Sequence, residues 1–318
     1  MSATSINPET VELGSYYPAH LAKRSGPILA ATDRTDASIP ALRAAGVLND
    51  AFHCGVSVLV VVEPLPIIVP EPSSLLQPQV LTPELTSVVR QQTLDQVKTI
   101  QEDLSGWSVE VEEGKPSREI AEAARALDAR VVVLGLSHHG TIDRLIDGDT
   151  ALEFLKKSDA PVLLASKKLT SLPRTAVVAV DFSPESMEAA RIVVPLLAAD
   201  AVVYLTHVRP AVTIFDGSGL WEEEYERVAT RQLAKFEQVL DAPVGLRVEK
   251  RIMAGKPASA LVDFARDVDA DLIVSGTHGA GLMRRIFIGS VASGLLHKSE
   301  VSLFIVPMPR PAEPNDMI

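Results

Sequence analysis

Asp271-Leu272-Ile273-Val274-Ser275-Gly276-Thr277-His278-Gly279, followed nine residues later by Gly289-Ser290, decides how this chain is read. A short apolar run closed by glycine is the mark of a buried strand in a parallel sheet. Gly276 and Gly279 lack a Cβ and let backbone amides approach a ligand closely. Gly289-Ser290 opens an apolar-periodic segment, which predicts the start of a helix, with the strand Leu303 to Val306 behind it. The first N–H groups of a helix have no intrahelical partner and sit at the positive end of its dipole. With the Ser290 hydroxyl they suit an anion, phosphate above all. The competing reading is a tight turn ahead of a well-capped helix. Three glycines and a serine in strand–loop–helix order favour a ligand.

Working outward, strand and helix patterns alternate and then start again. Gly114-Lys115-Pro116 and Gly255-Lys256-Pro257 lie 141 residues apart, as do Asp128 and Asp269, Gly135 and Gly276, and Gly148 and Gly289. Asp33 and Asp181, each at the end of a first strand, lie 148 apart. The seven extra residues of the first copy are placed in the Pro-rich segment 64–83. The chain is therefore read as an arm over 1–24, a first domain over 25–168, a connector at 169–173, a second domain over 174–308 and a tail over 309–318. Each copy reads as βαβαβαβαβ. That predicts an α/β fold of two tandem doubly wound domains, each a five-stranded parallel sheet of order 3-2-1-4-5 flanked by helices. In such a sheet ligands bind outside the carboxyl ends of the strands at the switch point, between strands one and four. In the second copy Asp181 and Gly276 stand there.

Composition narrows the function classes. A net charge of −11, from 41 acidic and 30 basic residues, opposes binding to nucleic acid or anionic membranes. The single cysteine, Cys54, excludes an internal disulfide framework and reads as a packing residue. No apolar run approaches the length of a membrane span, and the N-terminus has no signal-peptide pattern, so a cytoplasmic protein is expected. Trp107 and Trp221 fall on apolar faces and are expected in the core, and His207, inside a strand, is expected to be structural. The helix over 85–104 is expected to carry Leu85, Val88, Val89, Val97, Ile100 and Leu104 on one stripe.

Val178-Ala179-Val180-Asp181, Gly255-Lys256-Pro257 and the spacing Gly276, Gly279, Gly289-Ser290 together resemble a tandem universal stress protein, with the nucleotide-binding pattern of that family in the second copy. The resemblance covers about residues 26–308. It implies that Asp181 accepts hydrogen bonds from adenine between apolar walls at Ala179 and Val208. It implies that Gly276 and Gly279 let the loop lie against ribose and phosphates, and that Gly289, Ser290 and Val291 offer donors to phosphate. Arg284 and Arg285 are read as exposed or as partners of a terminal phosphate, and His278 as a loop residue. ATP, with or without Mg2+, fits this pattern, and so do ADP, AMP and a cyclic nucleotide.

The first copy departs from the pattern. Asp33, Gly135 and Gly148 are retained, but His138 stands for the second glycine and Asp149 for the serine, with Asp143 and Asp147 in the same loop. A side chain at 138 blocks close backbone approach, and three carboxylates repel phosphate. The first copy is therefore not expected to bind ATP in the same way. His138, His139, Asp143, Asp147 and Asp149 show no metal-ligand spacing of a known kind and read as a solvated loop.

Two functions from different classes follow. One is a regulatory adenine-nucleotide-binding protein with a single competent site in the second domain and at most slow hydrolysis, since no water-activating base with metal ligands is apparent. The other is an interaction scaffold with a vestigial site. There Val162-Leu163-Leu164 and Leu303-Phe304-Ile305 pair, either within one chain as a pseudo-dimer of domains or between chains as a homodimer. An adenylating enzyme fits poorly, because the Ser-Gly-Gly-x-Asp-Ser loop is absent after either first strand.

Overall fold

Largely apolar runs at Ile28–Thr32 (β1), Val56–Val62 (β2) and Val131–Gly135 (β4) are buried almost throughout, as strands covered on both faces must be. The computed structural model describes residues 24–64, 81–136, 148–209, 220–240, 242–277 and 288–307. Most of the arm, most of the Pro-rich segment and the tail lie outside the described residues. The described chain forms two compact units. One holds Ser25–Ser158 with Ala165–Thr170, and the other holds Asp159–Leu164 with the chain from Ser171 onward.

In the N-terminal unit, β1 is followed by α1 (Ile39–Phe52), β2, α2 (Pro83–Lys98), β3 (Trp107–Glu113), α3 (Pro116–Ala126), β4 and α4 (Gly148–Lys157); of β5 (Val162–Ala165), next in the chain, only Ala165 belongs to this unit. The strand order is β3-β2-β1-β4, and β1 pairs parallel with both β2 and β4. The Leu136 N–H donates to the Ala165 carbonyl at 2.9 Å, which sets the end of β5 beside β4.

The C-terminal unit repeats the order with β6 (Thr175–Ala179), α5 (Pro184–Val193), β7 (Val202–Arg209), α6 (Leu220–Leu240), β8 (Arg247–Ala254), α7 (Pro257–Asp267), β9 (Leu272–Gly276), α8 (Ser290–Lys298) and β10 (Ser302–Val306). Its order β8-β7-β6-β9-β10 is the expected 3-2-1-4-5. Within this unit β10 also pairs antiparallel with β5, Leu303 opposite Leu164 and Ile305 opposite Val162. Among the described residues no helix is long and apolar enough to cross a membrane.

The repeat extends to rare backbone conformations. Arg34 and Phe182, each one residue past a strand-end aspartate, have φ of 67° and 64°. Asp128 and Asp269 have φ of 47° and 48°. The Gly114 and Gly255 amides close matching turns, on the carbonyls of Val62 (3.1 Å) and Arg209 (3.2 Å). Pro116 and Pro257 then occupy the first position of α3 and α7, where a missing N–H costs nothing. Lys115 and Lys256 take the extended N-cap conformation in both copies, in keeping with a structural turn.

Some expectations need correcting. α2 ends at Lys98, so Ile100 and Leu104 lie beyond it, and its buried stripe is Val89, Thr93 and Val97, spaced four residues apart. Val88 is exposed because it points off that stripe, and Leu85, which continues the spacing one turn earlier, is exposed as well. Pro83, the last residue of the Pro-rich segment, already lies in a helix. It is the first residue of α2, capped by Thr82, whose hydroxyl accepts from the Leu85 N–H at 3.2 Å. Trp107 is half-buried rather than core, and Cys54 is half-buried just ahead of β2. On α6, Phe236, Val228 and Leu233 are buried, while the Trp221 side chain, expected in the core, lies outside the described residues.

Candidate functional site

β6 pairs parallel with β7 and β9, with Ala179 opposite Thr206 and Val178 opposite Val274. This register brings Asp181, Val208 and Gly276 to the same carboxyl edge of three neighbouring strands. Asp181 is held locally. Its Oδ1 accepts from the Ser183 N–H (3.0 Å) and from the Ser183 hydroxyl (2.5 Å). The Ser183 oxygen in turn accepts from the Ser186 N–H at 3.2 Å, capping α5. Ala179 and Val208 are half-buried on either side, as walls of a crevice would be.

The strand–loop–helix stretch closes onto the same edge. The Thr277 N–H donates to Val306 at 3.0 Å, and the Gly289 N–H donates to the Thr277 carbonyl at 2.7 Å. The start of α8 is thereby tied to the end of β9. Gly289 is the N-cap of α8 and has no side chain to cap it, and Ser290 is exposed as its first residue, followed by half-buried Val291. Gly276, Gly289, Ser290 and Val291 are thus drawn together beside Asp181. Gly279, His278, Arg284 and Arg285 lie outside the described residues.

Sequence reasoning missed an aromatic cluster behind Asp181. His207, only 7% exposed, follows Thr206 on β7 and stands opposite Val180. Its Nδ1 lies 2.7 Å from the Val180 carbonyl and its Nε2 lies 2.8 Å from the Tyr225 hydroxyl of α6. A carbonyl only accepts, so Nδ1 carries the proton. In the neutral ring Nε2 then accepts from Tyr225. Phe182 packs on the imidazole with ring centroids 4.4 Å apart, and the Tyr225 ring stacks at 5.9 Å. Burial holds the His207 pKa below its ordinary value, against the opposing pull of the Val180 carbonyl and the Asp181 charge. Burial likewise pushes the Tyr225 phenol up, opposed by Arg209. His207 therefore has the structural role expected of it, but its partner on α6, 18 residues away, carried no sequence signal.

The N-terminal unit builds the same edge with different side chains. Asp33 Oδ1 accepts from the Thr35 N–H (2.9 Å) and hydroxyl (2.7 Å). Where the C-terminal unit has Val180 and His207, this unit pairs Thr32 with Val60. The Thr32 hydroxyl instead bonds to Ser38 (2.6 Å) and to Gln96 of α2 (3.2 Å). A crevice at this edge is lined by Ala31, Thr32, Asp33, Leu59, Val61, Pro116 and Ile120. Ala31, Asp33 and Val61 occupy the positions of Ala179, Asp181 and Val208. Pro116 and Ile120 were not anticipated as walls; Pro257 and Leu261 stand 141 residues on. Gly135 has a packing reason to be glycine, since a Cβ there would meet the Ala37 carbonyl oxygen at 2.5 Å. His138, His139, Asp143 and Asp147, and the side chain of Asp149, lie outside the described residues.

The sequence profile of the universal stress protein family matches residues 25–166 and again 173–307. Over 146 residues the chain is 28% identical to a universal stress protein of Methanocaldococcus jannaschii, covering 44% of this chain and 85% of that one. It is 27% identical over 190 residues to a universal stress protein of Mycobacterium tuberculosis, covering 56% of this chain and 62% of that relative. Among solved structures, that of a universal stress protein from Archaeoglobus fulgidus covers 89% of this chain and 99% of its own, with a TM-score of 0.58 at 19% identity. At that identity the likeness speaks for the fold alone.

Proposed function

Because this chain belongs to the universal stress protein family, we propose that its C-terminal unit binds an adenine nucleotide and that the protein is a regulator rather than a fast enzyme. The observation that carries this reading is the Gly289-to-Thr277 hydrogen bond, which sets the N-terminus of α8 at the strand edge where Asp181 is held. The donor set fits the ligand at both ends. A carboxylate accepts from the exocyclic amine of adenine between Ala179 and Val208, and first-turn amides with the Ser290 hydroxyl receive phosphate. ATP is the first candidate. ADP, AMP and a cyclic nucleotide present the same two chemistries, and Mg2+ would arrive with the phosphates.

The N-terminal unit retains the base side of such a site in its crevice at Asp33, while His138 and Asp149 replace the glycine and serine of the phosphate side. It is read as not binding ATP in this way. The test is calorimetric titration of ATP into nucleotide-stripped full-length protein, beside a Gly279→His, Ser290→Asp variant that copies the first domain into the second. One site in the wild type and none in the variant is expected. Two sites would overturn the asymmetry. Absence of binding would leave the scaffold reading in front.

A further inference from the structure

We infer that His207 and Tyr225 form a positioning clamp for the ligand-reading carboxylate of the C-terminal unit, a role that rests on the nucleotide reading above. The regular β6 ladder ends at Ala179, and the Val180 N–H still bonds to the Thr206 carbonyl at 2.9 Å. On its other side the Val180 peptide is held by a side chain, through Nδ1–H of His207 at 2.7 Å. That carbonyl belongs to the peptide group that leads directly into Asp181. Fixing its orientation sets the direction in which the Asp181 carboxylate leaves the sheet.

The imidazole cannot turn freely. Tyr225 donates to its far nitrogen from α6, and Phe182, at φ 64°, closes over its face. A phenylalanine in the left-handed region is strained, and such strain persists only where the surroundings over-determine it. Asp181 is thus braced from both neighbours in the chain. Val180 is held by His207 and Phe182 packs on His207, while Ser183 fixes the carboxylate oxygen. In the N-terminal unit Val60 stands in the place of His207 and has no polar group to offer, and Gln96 of α2 reaches Thr32 instead. The clamp is a property of one unit, the one read as nucleotide-competent.

The chemistry at stake is discrimination between bases. A carboxylate in the right direction accepts from the 6-amino group of adenine and repels the 6-oxo group of guanine. A carboxylate free to swing loses this preference before it loses all affinity. His207→Val copies the N-terminal unit. His207→Asn restores an N–H at the position of Nδ1 without the ring. Tyr225→Phe removes one hydroxyl and is a milder variant should His207→Val not fold.

ATP and GTP are titrated into the full-length wild type and the three variants. His207→Val is expected to weaken ATP roughly tenfold, the scale of one buried hydrogen bond, and to flatten the ATP-over-GTP preference. His207→Asn should recover most of that preference, and Tyr225→Phe should fall between. A purely structural role would lower the unfolding temperature yet leave the preference of the folded protein unchanged, and that outcome overturns the clamp. Wild type that binds ATP without preferring it to GTP also overturns it. Wild type that binds neither nucleotide overturns the nucleotide reading itself, and the clamp with it.

Discussion

The amide of Gly289 donates to the carbonyl of Thr277 across a loop of eleven intervening residues, at 2.7 Å. Nothing else described at this edge ties the end of β9 to the start of α8 so directly. Gly289 has φ −56° and ψ 150°, values open to proline. Gly289→Pro therefore removes the donor without demanding a new φ. We expect it to destabilise the protein by about 1–2 kcal/mol in urea unfolding and to weaken ATP. Gly289→Ala, which keeps the N–H, should hold the loop closure better, and equal losses in the two variants would argue for crowding instead.

Ser183 serves two neighbours at once, donating to Asp181 and accepting from the Ser186 amide. Ser183→Ala should cost about 1 kcal/mol as a lost helix cap and should also weaken ATP through the released carboxylate. The matched change, Thr35→Ala, removes the same pair of roles beside Asp33. It should lower stability while leaving ATP binding at its wild-type value, as calorimetry would read.

The buried imidazole predicts a pH dependence with a definite sign. Burial lowers the folded-state pKa of His207, so the unfolded chain takes up the proton first as pH falls. The stability associated with the neutral ring is fully present above the unfolded value of about 6.5 and is lost as pH falls through the folded pKa. The charged and titratable groups around it are Asp181, which favours protonation, Tyr225 with its raised pKa, and the Arg209–Glu222 pair at 3.4 Å next to Tyr225. Urea unfolding across this range should show a slope in the wild type that is absent from His207→Asn.

Glu188 on α5 is 8% exposed, and burial raises its pKa against the pull of Arg191. A carboxyl raised in the folded state contributes stability only below its unfolded pKa, and that stability is lost as pH rises through the folded value. At neutral pH the ionised side chain is a net cost. Glu188→Gln should raise stability at pH near 7 and lose that advantage in acid, as thermal unfolding at two pH values would show.

On α2 the observed stripe makes a contrast. Val97→Ala removes a side chain 1% exposed and should cost about 1–3 kcal/mol. Leu85→Lys, at a position 43% exposed, should change stability by less than about 0.5 kcal/mol. Chemical unfolding of both variants settles which apolar positions of this helix face the sheet.

Much of this molecule was legible in its residues because the determining interactions are local or repeated. Buried parallel strands announce themselves as β-branched runs, and Gly-Lys-Pro announces a turn and a helix start. A spacing of 141 residues between such signals declares two copies of one unit. The doubly wound order puts β6 between β7 and β9, which is why Asp181 and Gly276 could be placed at one edge beforehand. The reading failed where a helix has more apolar residues than its buried face can use. Leu85 and Val88 were counted into a stripe that only the angle of α2 on the sheet defines.

What the tertiary structure alone decided is how Asp181 is held. No periodicity links His207 on β7 to Tyr225 on α6, or either of them to the carbonyl of Val180. Those contacts depend on the rotation of α6 about its own axis and on a left-handed phenylalanine, which one-dimensional patterns do not encode. The sequence by itself determined the architecture, because local backbone preferences and burial periodicity suffice for it. The orientation of a single carboxylate is set by side chains that meet only after the chain has folded.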